Sequence, residues 1–149
     1  MQKNRTIRLS SEKALRTKQR LRQYALIKKY YPDFRVKQTP FSLTIRASMC
    51  PGVGCDNYDI EIQMGNYYPW VKCYIKNPKI IPSIQYHMYT KDGRLCLYHP
   101  TECPWKAHYN LHDTIIPWIA EWLVFYEIFK LKGIWLGKEH PHKSKEKQS

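Results

Sequence analysis

One stretch of this chain concentrates reactive side chains: Tyr86-His87-Met88-Tyr89-Thr90-Lys91-Asp92-Gly93-Arg94-Leu95-Cys96-Leu97-Tyr98-His99-Pro100. A thiolate is the attacking species in covalent acyl transfer, and a neighbouring imidazole or hydroxyl can tune or orient it. Cys96 is therefore a candidate nucleophile, with His87, Tyr89 and His99 as the groups close enough in sequence to assist it. Asp92-Gly93 is turn chemistry. A tight turn there brings His87 and Tyr89 back toward Cys96 and Tyr98. The bland alternative is that Leu95-Cys96-Leu97 is one more short buried strand, because free cysteine is among the most buried residue types.

A metal site is the competing chemistry. Cys50 and Cys55 form a C-x4-C pair, and His140 and His142 lie near the end of the chain. A structural zinc site needs a second close pair. Cys96 and Cys103 are six residues apart between their positions and form no matching knuckle. No GxxxxGK[ST] or GxGxxG is present, so no phosphate loop is visible. Carboxylates are too scattered for a paired acid/base site; Glu121, Glu127 and Glu139 read as a solvated helix face and tail.

The elements that must position these groups follow from periodicity. Residues ~10–31 predict a helix, capped by Ser10 or Ser11 with Glu12 in its first turn. Leu21, Tyr24, Ala25, the stem of Lys28 and Tyr31 form its apolar stripe, and Pro32 and Asp33 end it. Three alternating runs follow: Phe41, Leu43, Ile45 and Ala47; Tyr58, Ile60, Ile62 and Met64; Val71, Cys73 and Ile75. Period-2 alternation predicts a three-stranded antiparallel meander within residues 34–76. Residues 77–112 are Pro-rich and aperiodic, as functional loops often are. Residues ~114–132 predict a second helix with Thr114 as N-cap, Pro117 in the first turn and Gly133 at C′. Its apolar face holds Ile115, Trp118, Ile119, Trp122, Tyr126 and Phe129. The fold class is thus α+β in a single domain.

Charge is uneven. Residues 1–37 hold 12 Lys and Arg against 2 acidic residues, whereas residues 38–137 hold 9 against 8, within a total formal charge of +13. We divide the 149 residues into a disordered basic arm (1–9), a folded domain (10–137) and a polar tail (138–149). The basic segment reads either as an electrostatic dock for an acidic partner or a nucleic-acid backbone, or as a solvated helix face. The start of the chain carries no apolar signal segment, and residues 115–129 are too short for a membrane span. Reduced thiols in the cytoplasm, with no membrane association, are the expectation for five cysteines in such a chain.

The element order of basic helix, meander, Pro-rich crossover, Gly-x-x-Cys and helix resembles the ubiquitin-conjugating-enzyme fold. In that fold the Cys lies in a His…Asn-Gly-x-Ile-Cys-Leu type segment; His87, Gly93, Leu95, Cys96 and Leu97 stand in the corresponding places. The closer resemblance is to the prokaryotic ubiquitin-conjugating-like family of type II CBASS anti-phage operons. It is carried by His87-Met88-Tyr89, Gly93-Arg94-Leu95-Cys96-Leu97-Tyr98-His99-Pro100, Trp105, Pro117-Trp118-Ile119-Ala120-Glu121-Trp122-Leu123, Tyr126-Glu127, Gly133-Ile134-Trp135-Leu136-Gly137 and Glu139-His140-Pro141-His142.

The resemblance implies a thioester-forming transacylase whose Cys96 takes the C-terminal carboxylate of a cognate cGAS-like nucleotidyltransferase and passes it to an amine, priming that synthase. It implies His87 and Tyr89 as orienting or oxyanion groups and His99 as a group for proton transfer. The oxyanion Asn of the eukaryotic enzymes is absent; Tyr89 or backbone N–H groups are its possible substitutes. Trp105, Trp118, Trp122 and Trp135 read as packing behind the site. No cofactor or metal is implied. The chain resembles the short, stand-alone form, so activation of the carboxylate must come from a separate activating enzyme or another source. A binding module without chemistry is the alternative, and either reading leaves the basic helix as a dock. The chemistry requires that the Cys96 sulfur be reachable from outside.

Overall fold

Alternating strands bury one face: Leu43, Ile45, Tyr58, Ile60, Ile62, Met64, Val71 and Cys73 are buried as the alternation predicts. The computed structural model describes the backbone of residues 2–66, 70–99 and 103–137, with side chains from Lys13 onward. Helix α1 (Gln2–Tyr30) precedes strands β1 (Arg35–Gln38), β2 (Leu43–Met49), β3 (Tyr58–Met64) and β4 (Val71–Asn77). A 3-10 turn (Ile84–Tyr86) and helix α2 (Ile115–Lys132) follow. The sheet is antiparallel throughout, in the order β1-β2-β3-β4. The architecture is α+β and is compatible with a ubiquitin-conjugating-like fold.

Leu43 and Ile45 of β2, Ile60, Ile62 and Met64 of β3, and Val71 and Cys73 of β4 form one wall of the core. Ile115, Ile116, Ile119, Trp122 and Leu123 of α2 form the other. Burying such side chains contributes roughly 1.5–3 kcal/mol each before the entropy of ordering is charged against it. On the opposite face of the sheet, Glu61 lies between Arg46 at 3.4 Å and Lys76 at 3.8 Å. Arg46 and Glu61 are direct cross-strand partners, so the ladder itself sets up that pair.

The meander has four strands, not the expected three. β1, with the sequence Arg-Val-Lys-Gln, offers a single apolar residue and is held by its pairing to β2, Val36 opposite Ile45. β2 starts at Leu43, and Phe41 lies in the preceding turn with 59% of its surface exposed.

Helix α1 departs further. It begins at Gln2, not near residue 10, so the backbone of residues 2–9 continues the helix. Those residues contain no Gly or Pro, and a serine alone does not stop a helix. The expected apolar stripe is also corrected: Leu21, Ala25 and Lys28 are exposed, and only Tyr24 and Tyr31 are half-buried. The inward face is Gln19, Arg20, Gln23 and Ile27. It meets loop backbone, where polar side chains find partners. Gln19 donates to the Ala107 carbonyl at 2.7 Å. Arg20 donates to the Pro40 carbonyl at 2.7 Å and to Asn66 Oδ1. Gln23 accepts from the Leu111 N–H at 2.9 Å and donates to Asn110 Oδ1 at 3.2 Å.

Helix α2 matches its expected span. Gly133 closes it in the left-handed region (φ 69°), donating its N–H to the Phe129 carbonyl at 2.7 Å. Thr114 occupies the N-cap position without capping. Its hydroxyl instead accepts from Trp105 Nε1 at 3.0 Å and donates to the Asn110 carbonyl. No helix among the described residues is long and apolar enough to cross a membrane.

Glu127, expected on a solvated face, accepts from the Tyr58 hydroxyl at 2.6 Å and from Lys130 at 3.1 Å. Burial pushes its carboxyl pKa up, but the Tyr58 hydrogen bond and Lys130 outweigh burial and leave it below its ordinary value. A carboxylate with a lowered folded pKa contributes stability above its unfolded pKa, and loses it as pH falls through the folded value. We expect Glu127→Gln to lower the urea midpoint at neutral pH, and the gap to wild type to close as pH drops below about 4.3. A gap independent of pH would contradict this.

Candidate active site

The Asp92-Gly93 turn does what its composition requires. Gly93 takes φ 79°, a conformation a side chain would strain. Its N–H donates to the Tyr89 carbonyl at 2.8 Å, and the Asp92 carboxylate accepts from the Arg94 N–H at 3.2 Å. The two arms then pair: Tyr89 N–H to the Arg94 carbonyl at 2.9 Å, and Cys96 N–H to the His87 carbonyl at 2.9 Å. Met88 and Leu95 form an isolated antiparallel bridge. The Leu95 N–H reaches the Cys73 carbonyl of β4 at 2.8 Å, which fastens the Cys96 arm to the sheet. Tyr98 fastens the next turn, its hydroxyl donating to the Val71 carbonyl.

This hairpin brings Tyr89 onto Cys96. The Tyr89 hydroxyl and the Cys96 thiol lie close enough to influence one another electrostatically. Burial first, and then the neighbouring Cys96 thiol, raise the pKa of the phenol, so Tyr89 stays neutral across the physiological range. The Arg94 guanidinium lies 4.3 Å from the centre of the Tyr89 ring, within cation–π range.

His87 presents its backbone to Cys96. It sits in the left-handed region (φ 56°, ψ 54°), uncommon for a residue with a Cβ. Its N–H donates to the Ile84 carbonyl at 3.2 Å. Its carbonyl accepts both from Cys96 and from Trp122 Nε1, the latter at 3.2 Å. The ring is buried and stacks on Trp135, 4.8 Å between centres and 17° between planes. The Cys96 N–H is engaged by this carbonyl, so in the arrangement seen it is not an oxyanion donor. His99 is half-buried, and its carbonyl accepts from the Cys103 N–H at 3.1 Å.

Trp122 and Trp135 pack behind the site, each in a definite position. Trp122 hydrogen-bonds the backbone that carries His87. Trp135 covers the His87 ring, wedged against Trp122 and Phe125. Gly137 must lack a side chain here, since a Cβ would stand 2.7 Å from Trp135 Nε1 and 2.9 Å from the Phe125 ring. The Gly-x-Trp-x-Gly spacing was a signal for this fold-back; a remote contact with His87 is not readable from it.

One expectation fails plainly. Cys96 is 2% exposed, so its sulfur is not open to solvent in this conformation. Cys73 is equally buried, and burial raises its pKa; Cys50 and Cys103 are exposed. With a disulfide-forming aromatic reagent under native conditions, Cys50 and Cys103 should react fast, Cys96 at least about 100-fold more slowly, and Cys73 only on unfolding. Peptide mapping of the labelled chain checks the order, and fast labelling of Cys96 would contradict the burial.

The zinc alternative finds little support. The Cys50 thiol donates to the Gly52 carbonyl at 3.1 Å. Burial, followed by the Glu127 carboxylate, raises the Cys55 pKa. Among the described residues no group of three or more His, Cys, Asp or Glu lies together. Glu139, His140, His142 and the polar tail lie outside the described residues.

A family model described as Type II CBASS E2 protein matches residues 23–143, from the second half of α1 through the Cys96 hairpin and α2. No curated protein matches the chain. That match covers most of the 149 residues and every candidate site residue: the chain belongs to the type II CBASS E2 family, proteins of anti-phage CBASS systems whose name marks them as ubiquitin-conjugating-like enzymes.

Proposed function

We propose that Cys96 carries the C-terminal acyl group of a cognate cGAS-like nucleotidyltransferase from the same operon as a thioester. The observation that supports this reading is the hairpin that brings Tyr89 beside Cys96. In the acylation step the sulfur attacks an activated C-terminal carbonyl. The S–C bond forms, the bond to the activating group breaks, and that group leaves with its electron pair. An amine then displaces the sulfur, and the thiol is restored as the amide forms. Tyr89 donates to the sulfur and, as the tetrahedral intermediate forms, to the charge developing beside it. His87 holds the Cys96 backbone through its carbonyl, and His99 is a proton-transfer group at the edge of the site. The reaction takes the carboxylate already activated.

The burial of Cys96 favours a second reading, in which the chain binds the nucleotidyltransferase and does no chemistry. Intact-mass analysis after co-expression separates the two. Acyl transfer predicts a mass equal to both chains less one water, removed by added thiol at neutral pH. A stable but wholly non-covalent complex would establish the binding reading. Tyr89→Phe tests the assigned donor. Loss of one hydrogen bond to a charged group, about 1.5–3 kcal/mol, slows adduct formation by roughly 10- to 100-fold. Thermal stability should change far less, and an unchanged rate would remove Tyr89 from the mechanism.

A further inference from the structure

The connection between β2 and β3, residues 50–57, carries two cysteines that the acyl chemistry does not use, Cys50 and Cys55. Met49 and Tyr58 are direct cross-strand partners, so the ladder holds both ends of the connection together. Between them the chain turns back on itself. Gly54 takes φ 81°, and the Cys55 N–H donates to the Gly52 carbonyl at 3.1 Å. Val53 stands fully exposed at the tip.

The turn folds the two thiols toward each other. The Cys50 sulfur lies 3.1 Å from the Gly52 carbonyl oxygen and 3.6 Å from that of Cys55. The Cys55 sulfur also stands beside Gly52, 3.7 Å from where a Cβ would be. Both sulfurs thus lie against one residue, close enough to influence one another electrostatically. Asp56, next in the chain, is ion-paired with Lys130 at 3.1 Å, which ties the Cys55 side of the loop to α2. Two thiols fall short of the four ligands of a structural zinc site, and among the described residues no third ligand joins them. Cys50 is exposed and Cys55 half-buried, so a solute oxidant meets Cys50 first and finds Cys55 beside it. An accessible sulfur next to a resolving thiol is the usual anatomy of a redox-sensing pair.

We propose that Cys50 and Cys55 are a site of reversible oxidation, at which a hydroperoxide converts the pair to an intramolecular disulfide across the β2–β3 turn. The Cys50 sulfur takes one oxygen from the hydroperoxide and becomes a sulfenic acid, and the hydroperoxide is reduced to water or an alcohol. The Cys55 sulfur then attacks that of Cys50. The S–S bond forms, the S–O bond breaks, and the departing hydroxide leaves with the Cys55 proton as water. A dithiol reductant restores both thiols by exchange, as exposed disulfides permit.

The test is peptide mapping of the full chain after brief treatment with hydrogen peroxide. Free thiols are blocked with an alkylating reagent before digestion. Trypsin releases residues 47–72 as one peptide holding both cysteines, since no Lys or Arg lies between Arg46 and Lys72. We expect this peptide to carry no blocking group after peroxide, and two when dithiothreitol follows the peroxide. The bridge should form at least about fivefold faster in the folded chain than in urea, because the fold holds the thiols together. In Cys55→Ser, dimedone should trap the Cys50 sulfenic acid at least about fivefold more than in wild type. Two blocking groups after peroxide, a cross-link to the peptide of residues 95–106 that holds Cys103, equal rates in urea, or equal dimedone labelling would overturn the proposal. Cys96→Ala should form the bridge as wild type does, which separates failure of this site from failure of the acyl reading.

Discussion

Cys96→Ala is expected to abolish the thiol-labile adduct with the partner nucleotidyltransferase completely, while the chain remains folded. A thioester has no substitute atom once the sulfur is gone, so the loss is all-or-none and not a reduced rate. The variant should fold because it deletes one buried sulfur from a site fastened by backbone bonds, Cys96 N–H to His87 and Leu95 N–H to Cys73. That deletion costs on the order of 1 kcal/mol. The control is the pair of exposed cysteines. Cys50→Ala/Cys103→Ala should leave the adduct intact, which excludes capture of an activated acyl group by whichever thiol is most open. Cys96→Ser adds a chemical signature: an oxygen ester survives added thiol but is cut by hydroxylamine. An adduct that persists in Cys96→Ala would end the assignment.

The burial of Cys96 gives this experiment a further use. A cysteine only 2% exposed receives another chain's terminus through an opening motion. If the partner opens the site, its presence should accelerate Cys96 labelling, and the acceleration should precede any adduct. A partner that binds and leaves Cys96 as slow to label as before would favour the binding reading.

Trp105→Ala should produce the largest loss of stability among single substitutions in the chain outside the sheet. Trp105 is 2% exposed and among the largest fully buried side chains. It meets Tyr109 edge-on at 6.3 Å and donates to Thr114 Oγ1 at 3.0 Å. Truncation removes a ring that nothing nearby can replace and takes a donor from a hydroxyl at the start of α2. Large-to-small changes of this kind cost about 3–5 kcal/mol. In a chain of this size that is a fall in Tm on the order of 10 °C, readable by calorimetry. Trp105→Phe keeps most of the ring volume and loses the N–H, so its cost should be well under half as large. A fall in Tm of less than about 3 °C in Trp105→Ala would show that the loop before α2 collapses into the space.

The positions of these residues show which physical signals a chain carries locally. Leu43, Ile45, Ile60 and Ile62 alternate, and the sheet buries them as alternation requires. Ile115, Ile119 and Trp122 recur at helical spacing and are buried together. Asp92-Gly93 is a turn in sequence and a turn in space, so Tyr89 and Cys96 meet through bonds only a few residues long. In each case the information is a short-range pattern acting through backbone geometry.

What the amino-acid order settled by itself is therefore the α+β class, the two helices, most of the meander and the hairpin that joins Tyr89 to Cys96. Tertiary structure alone decided the rest. α1 turned its Gln19, Arg20 and Gln23 inward because carbonyls and amides from residues 40, 66, 107, 110 and 111 were there to meet them. Glu127 became a partner of Tyr58, and the His87 ring went to Trp135 while its carbonyl went to Cys96. β1 formed on the edge that β2 offered, and Cys96 was closed off from water. Whether a polar or reactive side chain is buried depends on partners brought from far along the chain, and such partners leave no period in the sequence.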